Sequence, residues 1–344
     1  MISVERLQQI LEQFSKLSVI VVGDYFLDKY LVIDPSLSET SLETGKPTFP
    51  VVEVRHSPGA AGNVCTNLAA LEVDQIWAVG VIGDDGSGHE LQRDLTERRV
   101  TVSHLIQNPD AFTPSYIKPM EQQPDGTEME LNRLDIKNRQ PLAKAIETQI
   151  IASLESLIPH ADAVVIVDQD QERNCGVITD RVRESLGVLA ASHPEVVFLA
   201  DSRTRIGQFR NVALKPNRYE ALVAVEHQTR EVVPRAVAER CGQELAARTG
   251  RPVFVTLDAE GISVCTAASS THVPTVPPNG PIDVTGAGDT TAASLVCSLC
   301  AGASLAEAAL IGNIAASVVL QQIGTTGTAT AEQILAQFQR GGWG

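Results

Sequence analysis

Six short, continuously apolar runs recur along the chain: SVIVVGD (18–24), IWAVGVIG (76–83), AVVIVD (163–168), EVVFLAD (195–201), NVALKPN (211–217) and PVFVTLD (252–258). An alternating run would leave one face wet. These runs have no wet face, so each predicts a strand covered on both sides. Segments of helical period, such as 86–99, 141–158 and 234–249, lie between most of them. Covered strands alternating with amphipathic helices predict an α/β fold: a three-layer, doubly wound, mostly parallel sheet. Leu7, Ile10, Leu11, Phe14 and Leu17 recur at helical spacing and predict a helix before the first strand.

Two stretches break the rhythm. PTFPVVEVR (47–55) alternates, and so does 114–133, where Asp125-Gly126 is a hairpin signal. Alternation means that one face is wet or covers a ligand. The two predict a small β lid formed by about 34–56 and 111–133. Further on, a helix is expected from near Asp289 to Gly302. Ser304 and Glu307 then form a capping box that opens another helix to about Gln322. Neither a repeat nor a linker interrupts the pattern, so 1–344 is expected to be a single domain.

The formal charge of −15 argues against a nucleic-acid or anionic-membrane partner. A small anionic substrate stays open, because one local basic pocket suffices. The six cysteines are mostly scattered through apolar segments, which suggests a reduced, cytoplasmic protein. Cys297-x-x-Cys300 lacks a second ligand pair and reads as two small core residues one helical turn apart. There is no signal-peptide pattern and no apolar run long enough to span a bilayer.

Chemistry concentrates in DVTGAGDTTAASL (283–295). Gly286-Ala287-Gly288 lets the backbone turn tightly and approach a ligand. The helix that follows would present free N–H groups and partial positive charge, an anion hole for a phosphoryl group in flight. Asp289 would sit beside that hole, where it can orient a hydroxyl and accept its proton. The plainer reading is an acid in the first turn of a helix. Other nucleotide and metal signatures are missing: no G-x-x-x-x-G-K-[ST], no H-E-x-x-H, no H-R-D, and GDDGSG (83–88) breaks the dinucleotide spacing.

DVTGAGDTTAASL closely resembles the C-terminal signature of the ribokinase, or PfkB, carbohydrate kinases. VVGDYFLDKY (21–30), PGAAGNVCTNLAAL (58–71), VGVIGDDGSGHEL (79–91), KPNRYE (215–220) and VTLDAEG (255–261) resemble that family's other motifs in the expected order. The resemblance is strongest to the kinases of heptose 7-phosphate. It implies a ribokinase-like fold and an ATP- and Mg²⁺-dependent sugar kinase. It also implies sugar contacts at Asp28, on the first strand, and at Gly59 and Asn63. Thr256 and Gly261 are implied near the nucleotide phosphates, Asn313 near adenine, and K⁺ near Asp283. A homodimer through the lid is a further implication. A nucleoside kinase, a hydrate dehydratase of the same general fold and a non-catalytic sugar or nucleotide sensor are the alternatives. The retained Asp28, Asn63, Gly286, Gly288 and Asp289 argue for the sugar kinase.

Several roles stay open at this level. Asn217 and Glu220 share a helix face and suit a hydrated Mg²⁺, yet they also suit an N-cap and its partner. Lys215 is either a phosphate contact or a solvated strand end. Asp283 either serves a cation or braces the glycine turn, and Asn313 is also simply a polar spot in an apolar helix. Among Lys46, Arg55, Arg133, Arg203 and Arg205, Arg133 is the favoured contact for a substrate phosphate. Asp168 and Gln169 follow a strand end and are placed near the sugar. Two departures from the family stand out: Gly59-Ala60 replaces a Gly-Gly pair, and SLETGKPTFPVV (41–52) replaces the usual heptose-kinase lid stretch. No nucleotidyltransferase domain follows, so a kinase without that second function is expected.

Overall fold

A computed structural model of the protein describes residues 2–276, 280–324, 326–341 and 343. The chain opens with α1 (Val4–Leu11), whose Ser3 side chain accepts from the Arg6 amide. It continues through β1 (Ser18–Gly23), β2 (Tyr25–Ile33), β3 (Val51–Ala60), α2 (Ala61–Ala70), β4 (Gln75–Gly83), α3 (Gly86–Glu97) and β5 (Thr101–Asn108). Three short strands follow: β6 (Ser115–Gln122), β7 (Glu128–Glu130) and β8 (Leu134–Ile136). The second half runs α4 (Lys144–Leu157), β9 (Ala163–Asp168), α5 (Asp180–Ser192), β10 (Val197–Ser202), β11 (Ala213–Leu214), α6 (Arg218–Glu226), α7 (Arg235–Thr249) and β12 (Val253–Thr256). A hairpin, β13 (Ile262–Cys265) and β14 (Ser270–Val273), precedes the terminal helices α8 (Ala287–Cys300), α9 (Leu305–Val319) and α10 (Ala331–Gln339).

Among the described residues, nine strands form the main sheet in the order β14-β13-β12-β11-β10-β9-β1-β4-β5. Pairing is parallel from β5 to β12 and antiparallel across β12, β13 and β14. Both faces are covered, as the apolar runs require. Val19 and Val21 of β1 pack into one core with α1, α2, α8 and α9, while Ile20 and Val22 pack into the other with α4, α5 and α7. Strand β11 is only two residues long, because Pro216 has no N–H to continue the ladder and Asn217 already caps α6. The edge strands β5 and β14, and β13 beside β14, had no counterpart among the apolar runs. In β5 only Leu105 is buried, so its sequence carries no continuous run.

The lid is a second sheet, β3-β2-β6-β7 with β8 on β6. Its hairpin at Asp125-Gly126 forms as expected: Gly126 has φ +85°, and Asp125 Oδ1 accepts from the Thr127 amide at 2.9 Å. Its boundaries differ from the expectation. Residues 34–50 hold a 3₁₀ turn at Pro35–Leu37 and a lone bridge between Thr40 and Pro47, and the strand starts at Val51. The lid also includes β2. The chain leaves β1 at Gly23 and turns through Asp24, so Asp28 lies on a lid strand and not on the first strand of the body. That turn is pinned by the Asp24 carboxyl, which accepts from the amides of Gln169, Asp170 and Val177 at 2.7–2.8 Å.

Helix α8 begins at Ala287, two residues before Asp289, and Gly302 follows it with φ +76°. The Ser304–Glu307 capping box is present at the start of α9, which ends at Val319 instead of Gln322. Cys297 is a buried core residue, and neither it nor Cys300 is bonded to another cysteine. No helix among the described residues is long and apolar enough to cross a membrane.

Candidate active site

Open α/β sheets bind ligands outside the carboxyl ends of their strands. Here a cavity of about 890 Å³ lies there, between the ends of β10, β11 and β12, the start of α8 and the inner face of the lid. The glycine turn forms one wall. Gly286 has φ +79°, and a Cβ added there would lie 2.7 Å from Asn63 Nδ2, so backbone and packing both require glycine. The first bond of the turn into α8 runs from the Thr290 amide to the Gly286 carbonyl at 3.0 Å. The N–H groups of Gly288 and Asp289 therefore have no acceptor within the helix, and Ala287 N–H makes only a 3.4 Å turn contact with Val284. Gly286, Ala287, Gly288 and Asp289 all line the cavity.

Asp289 is held from the other side of the chain. Asn63 Nδ2 donates to Asp289 Oδ2 at 2.6 Å. The Asn63 amide is itself oriented, because Asn67 Nδ2 donates to Asn63 Oδ1 at 3.2 Å while Thr290 Oγ1 donates to Asn67 Oδ1 at 2.7 Å. Burial and the Asp201 carboxylate push the Asp289 carboxyl up to about 7, against the Asn63 hydrogen bond and the Lys215 charge. Lys215 is buried and pairs with Asp201 at 2.8 Å. Burial opposes its charge, but Asp201 together with Glu220 and Asp289 outweighs burial and holds its pKa above the ordinary lysine value.

Asn217 and Glu220 do form an N-cap pair. Asn217 Oδ1 accepts from the amides of Tyr219 and Glu220 at 2.9 and 2.8 Å, and Glu220 Oε2 accepts from the Asn217 amide at 2.8 Å. Both also line the cavity, and the capping bonds involve Oε2 of Glu220, not Oε1. Burial and Asp201 raise the Glu220 pKa. The fit to a hydrated Mg²⁺ is good, since that ion needs few protein oxygens.

Asp28, Gly59, Thr256, Gly261 and Asn313 also line this cavity. Gly261 has φ +98°, and a Cβ there would meet the Val273 carbonyl oxygen at 2.4 Å. Asn313 is satisfied as a buried polar group, donating to the carbonyls of Val273 and Pro274 at 3.0 and 3.3 Å.

Four expected contacts fall off the cavity wall: Asn63, which holds Asp289 and does not itself line the cavity, and Arg133, Asp168 and Asp283. Arg133 stacks 4.2 Å from the Tyr116 ring centroid and bonds Asp135 at 2.6 and 2.9 Å, so it backs a lining residue and does not line the cavity. Asp168 is buried beneath the site, where Ser202 Oγ and Arg205 Nη2 donate to it at 2.6 and 2.7 Å. Its neighbour Gln169 does line the cavity and accepts from Arg203 Nε at 3.1 Å; Arg203 lines it too. Asp283 braces the turn. Its Oδ1 accepts from Thr285 N–H at 2.9 Å and its Oδ2 from Gly324 N–H at 3.2 Å. Burial opposes its charge, but these amides outweigh burial and lower its pKa. The Arg55 guanidinium pairs with Glu128 on the lid.

Asp201 is the residue that sequence reasoning missed. It ends the apolar run EVVFLAD at the carboxyl end of a parallel strand, the same signal that singled out Arg203 and Arg205.

The chain matches the model of the pfkB carbohydrate kinases over residues 29–332. It is 30% identical over 335 residues to the "Bifunctional protein HldE" of Trichlorobacter lovleyi, covering 96% of this chain and 64% of that protein. The HldE protein of Shewanella baltica is 31% identical over 329 residues, covering 95% and 64%. The chain thus spans under two thirds of the length of these relatives. Among solved structures, the ribokinase of Arabidopsis thaliana complexed with ribose and ATP superposes with TM-score 0.67 at 17% identity, covering 94% of this chain and 99% of that one. Phosphofructokinase-2 from Escherichia coli in complex with fructose-6-phosphate gives TM-score 0.68 at 18% identity, covering 94% and 98%. These likenesses show a ribokinase-like fold. With the family model matched over most of its length, the chain belongs to the pfkB family of carbohydrate kinases.

Proposed function

We propose that the protein transfers the γ-phosphoryl group of ATP to a hydroxyl of a sugar or sugar phosphate, with a heptose phosphate the leading acceptor. The observation that carries this reading is the Asn63–Asp289 hydrogen bond beside the unpaired amides of Gly288 and Asp289. Asp289 accepts the acceptor's proton, and Asn63 fixes which carboxyl oxygen is free to take it. The amides at the start of α8 and the Lys215 ammonium stabilise charge on the moving phosphoryl group. Mg²⁺, held through water by Asn217 and Glu220, would neutralise charge on the nucleotide phosphates. Asp28 and Gly59 line the acceptor end. Thr256, Gly261 and Asn313 line the nucleotide end, and K⁺ near Asp283 is part of the proposal. The relatives named HldE favour the heptose phosphate over a nucleoside acceptor.

The test is ADP release from Mg-ATP with a panel of sugars, sugar phosphates and nucleosides, with and without K⁺. Asp289→Asn should lower kcat by about 10²–10⁴ with little change in nucleotide affinity. In the unsubstituted protein kcat/KM should rise with pH through about 7, since the base must be ionised. Near-normal turnover by Asp289→Asn with a confirmed acceptor would falsify the assignment of the base.

A homodimer through the lid also belongs to this reading. Phe49, Val51, Val52 and Val54 are exposed on the lid and supply an apolar surface for a second copy. A monomeric mass by light scattering at micromolar concentration would remove it.

A further inference from the structure

The lid carries a charged pair, Asp28 and Lys118, of which the proposed chemistry uses only Asp28, and that carboxylate keeps an oxygen without a partner among the described residues. Phe26, Asp28 and Tyr30 alternate on one face of β2, and Tyr116 and Lys118 stand opposite Asp28 and Tyr30 on the parallel strand β6. Phe26, Asp28 and Tyr116 line the cavity; Lys118 shares their face of the lid and stands beside Asp28, just behind the lining residues. Its ammonium lies 4.7 Å from the Tyr30 ring centroid and donates to the Tyr30 hydroxyl at 3.2 Å. It stands 3.7 Å from Asp28 Oδ1, close enough for ion pairing and too far for a hydrogen bond. Asp28 is 8% exposed, and its Oδ1 has no hydrogen-bond partner among the described residues.

A half-buried donor and a buried acceptor that almost meet are complementary to a group that is both acceptor and donor. A hydroxyl is such a group: it donates to the carboxylate and accepts from the ammonium. An amine on the same carbon is cationic at neutral pH. It can donate to Asp28, but it has no lone pair for Lys118 and meets a like charge. A deoxy carbon leaves both protein groups unpaired, and sites built on buried hydrogen bonds discriminate strongly against that loss. We propose that Lys118 is a specificity residue that reads one acceptor hydroxyl jointly with Asp28 and rejects an amine in its place. The inference rests on the kinase reading above and adds the residue that selects the acceptor.

The probes are D-glucose, D-mannose and D-galactose, their 2-amino-2-deoxy analogues, and the 6-phosphates of all six. ADP release is measured with Mg-ATP, and Kd by calorimetry in the presence of Mg²⁺ and a non-hydrolysable ATP analogue. For the best pair the unsubstituted protein should prefer the hydroxyl sugar by at least about 100-fold. Lys118→Met should lower kcat/KM for that sugar about 10–100-fold, mainly through KM, and shrink the preference below about tenfold. Lys118→Arg, which keeps charge and donors, should restore part of both. Lys118 lies outside the main sheet, so melting temperature and nucleotide Kd serve as folding controls. An unchanged preference in Lys118→Met overturns this inference and leaves the kinase reading standing. Sugar binding without ADP release overturns the kinase reading alone, and the preference is then judged from the Kd values. Failure of every probe to bind overturns this inference, and the kinase reading is then judged on the wider acceptor panel given above.

Discussion

At the scale of single residues, Gly286 and Gly288 look equivalent in sequence and differ in structure. Gly286 needs its positive φ and its contact with Asn63. Gly288 is helical, and a Cβ there would touch only Lys215 Nζ at 3.6 Å, an ordinary contact. What Gly288 provides is room beside a cation and two free amides. Gly288→Ala should therefore leave the melting temperature unchanged or slightly raised, since alanine is the better helix former by up to about 1 kcal/mol. Its turnover should fall at least about tenfold, because a methyl group occupies space proposed for the phosphoryl group. Gly286→Ala should lower both stability and turnover. Thermal melts and ADP-release assays on the two variants separate the roles, and full activity in Gly288→Ala would show that the phosphoryl group travels elsewhere. Ala60 makes a related point. It sits where the family resemblance calls for glycine and adopts φ +51°, ψ −119°, a backbone that an L-residue holds only under strain of about 1–3 kcal/mol. The sequence exposed that departure, but not that the backbone keeps the glycine conformation despite it.

At the scale of elements, the strands that could be read were those buried on both faces. β1, β4, β9 and β10 are continuous Val/Ile runs because each side meets a helix layer. β5, β13 and β14 escaped notice because edge and hairpin positions admit polar residues such as Ser103 and His272. The lid could be recognised from alternation, but its extent could not. β2 continues directly from β1 through one residue, Asp24, and only the carboxyl's bonds to the 169–177 loop explain the turn. Site residues adjacent in sequence, 286–289 and 215–220, were legible as motifs. The Asn63–Asp289 contact joins residues 226 apart and needed coordinates. The lid also carries a dynamic prediction. Tyr25 and Leu27 root β2 in the body's core, but β7, most of β8 and the first residues of β3 are exposed, so these outer strands should exchange amide hydrogens readily without ligand. Saturating acceptor should slow exchange in 34–56 and 111–133 several-fold. Unchanged exchange there, at an acceptor concentration that supports turnover, would remove the closing role from these strands.

At the scale of the whole molecule, the site should leave a signature in stability. Burial and the nearby Asp168 push Asp24 up to about 7, despite its hydrogen bonds from the 169–177 loop. Burial and Asp201 bring Asp289 to about 7 and raise Glu220 as well. In the unfolded chain these groups ionise near pH 4. Between about pH 4 and 7 the folded protein therefore holds protons that the unfolded chain has released, and stability must fall as pH rises through that window. The favourable contribution is fully present below the unfolded values and is lost on passing the folded ones. A carboxyl that ionises one pH unit higher in the folded protein than in the unfolded chain costs about 1.4 kcal/mol of stability once it is charged. Even partial expression of this cost lowers the melting temperature of ligand-free protein by at least about 2 °C between pH 5 and pH 8. Self-repulsion of the −15 charge acts in the same direction but is screened by salt, so the scan belongs at about 0.5 M NaCl. Asp289→Asn should flatten the slope by that residue's share. Mg²⁺ with a non-hydrolysable ATP analogue should flatten it further, because a cation near Glu220 favours the ionised form. A melting temperature independent of pH from 5 to 8 in the ligand-free protein would mean that these carboxyl groups are ionised at ordinary values. The proposed general base would then lack the tuning near neutrality that its surroundings imply.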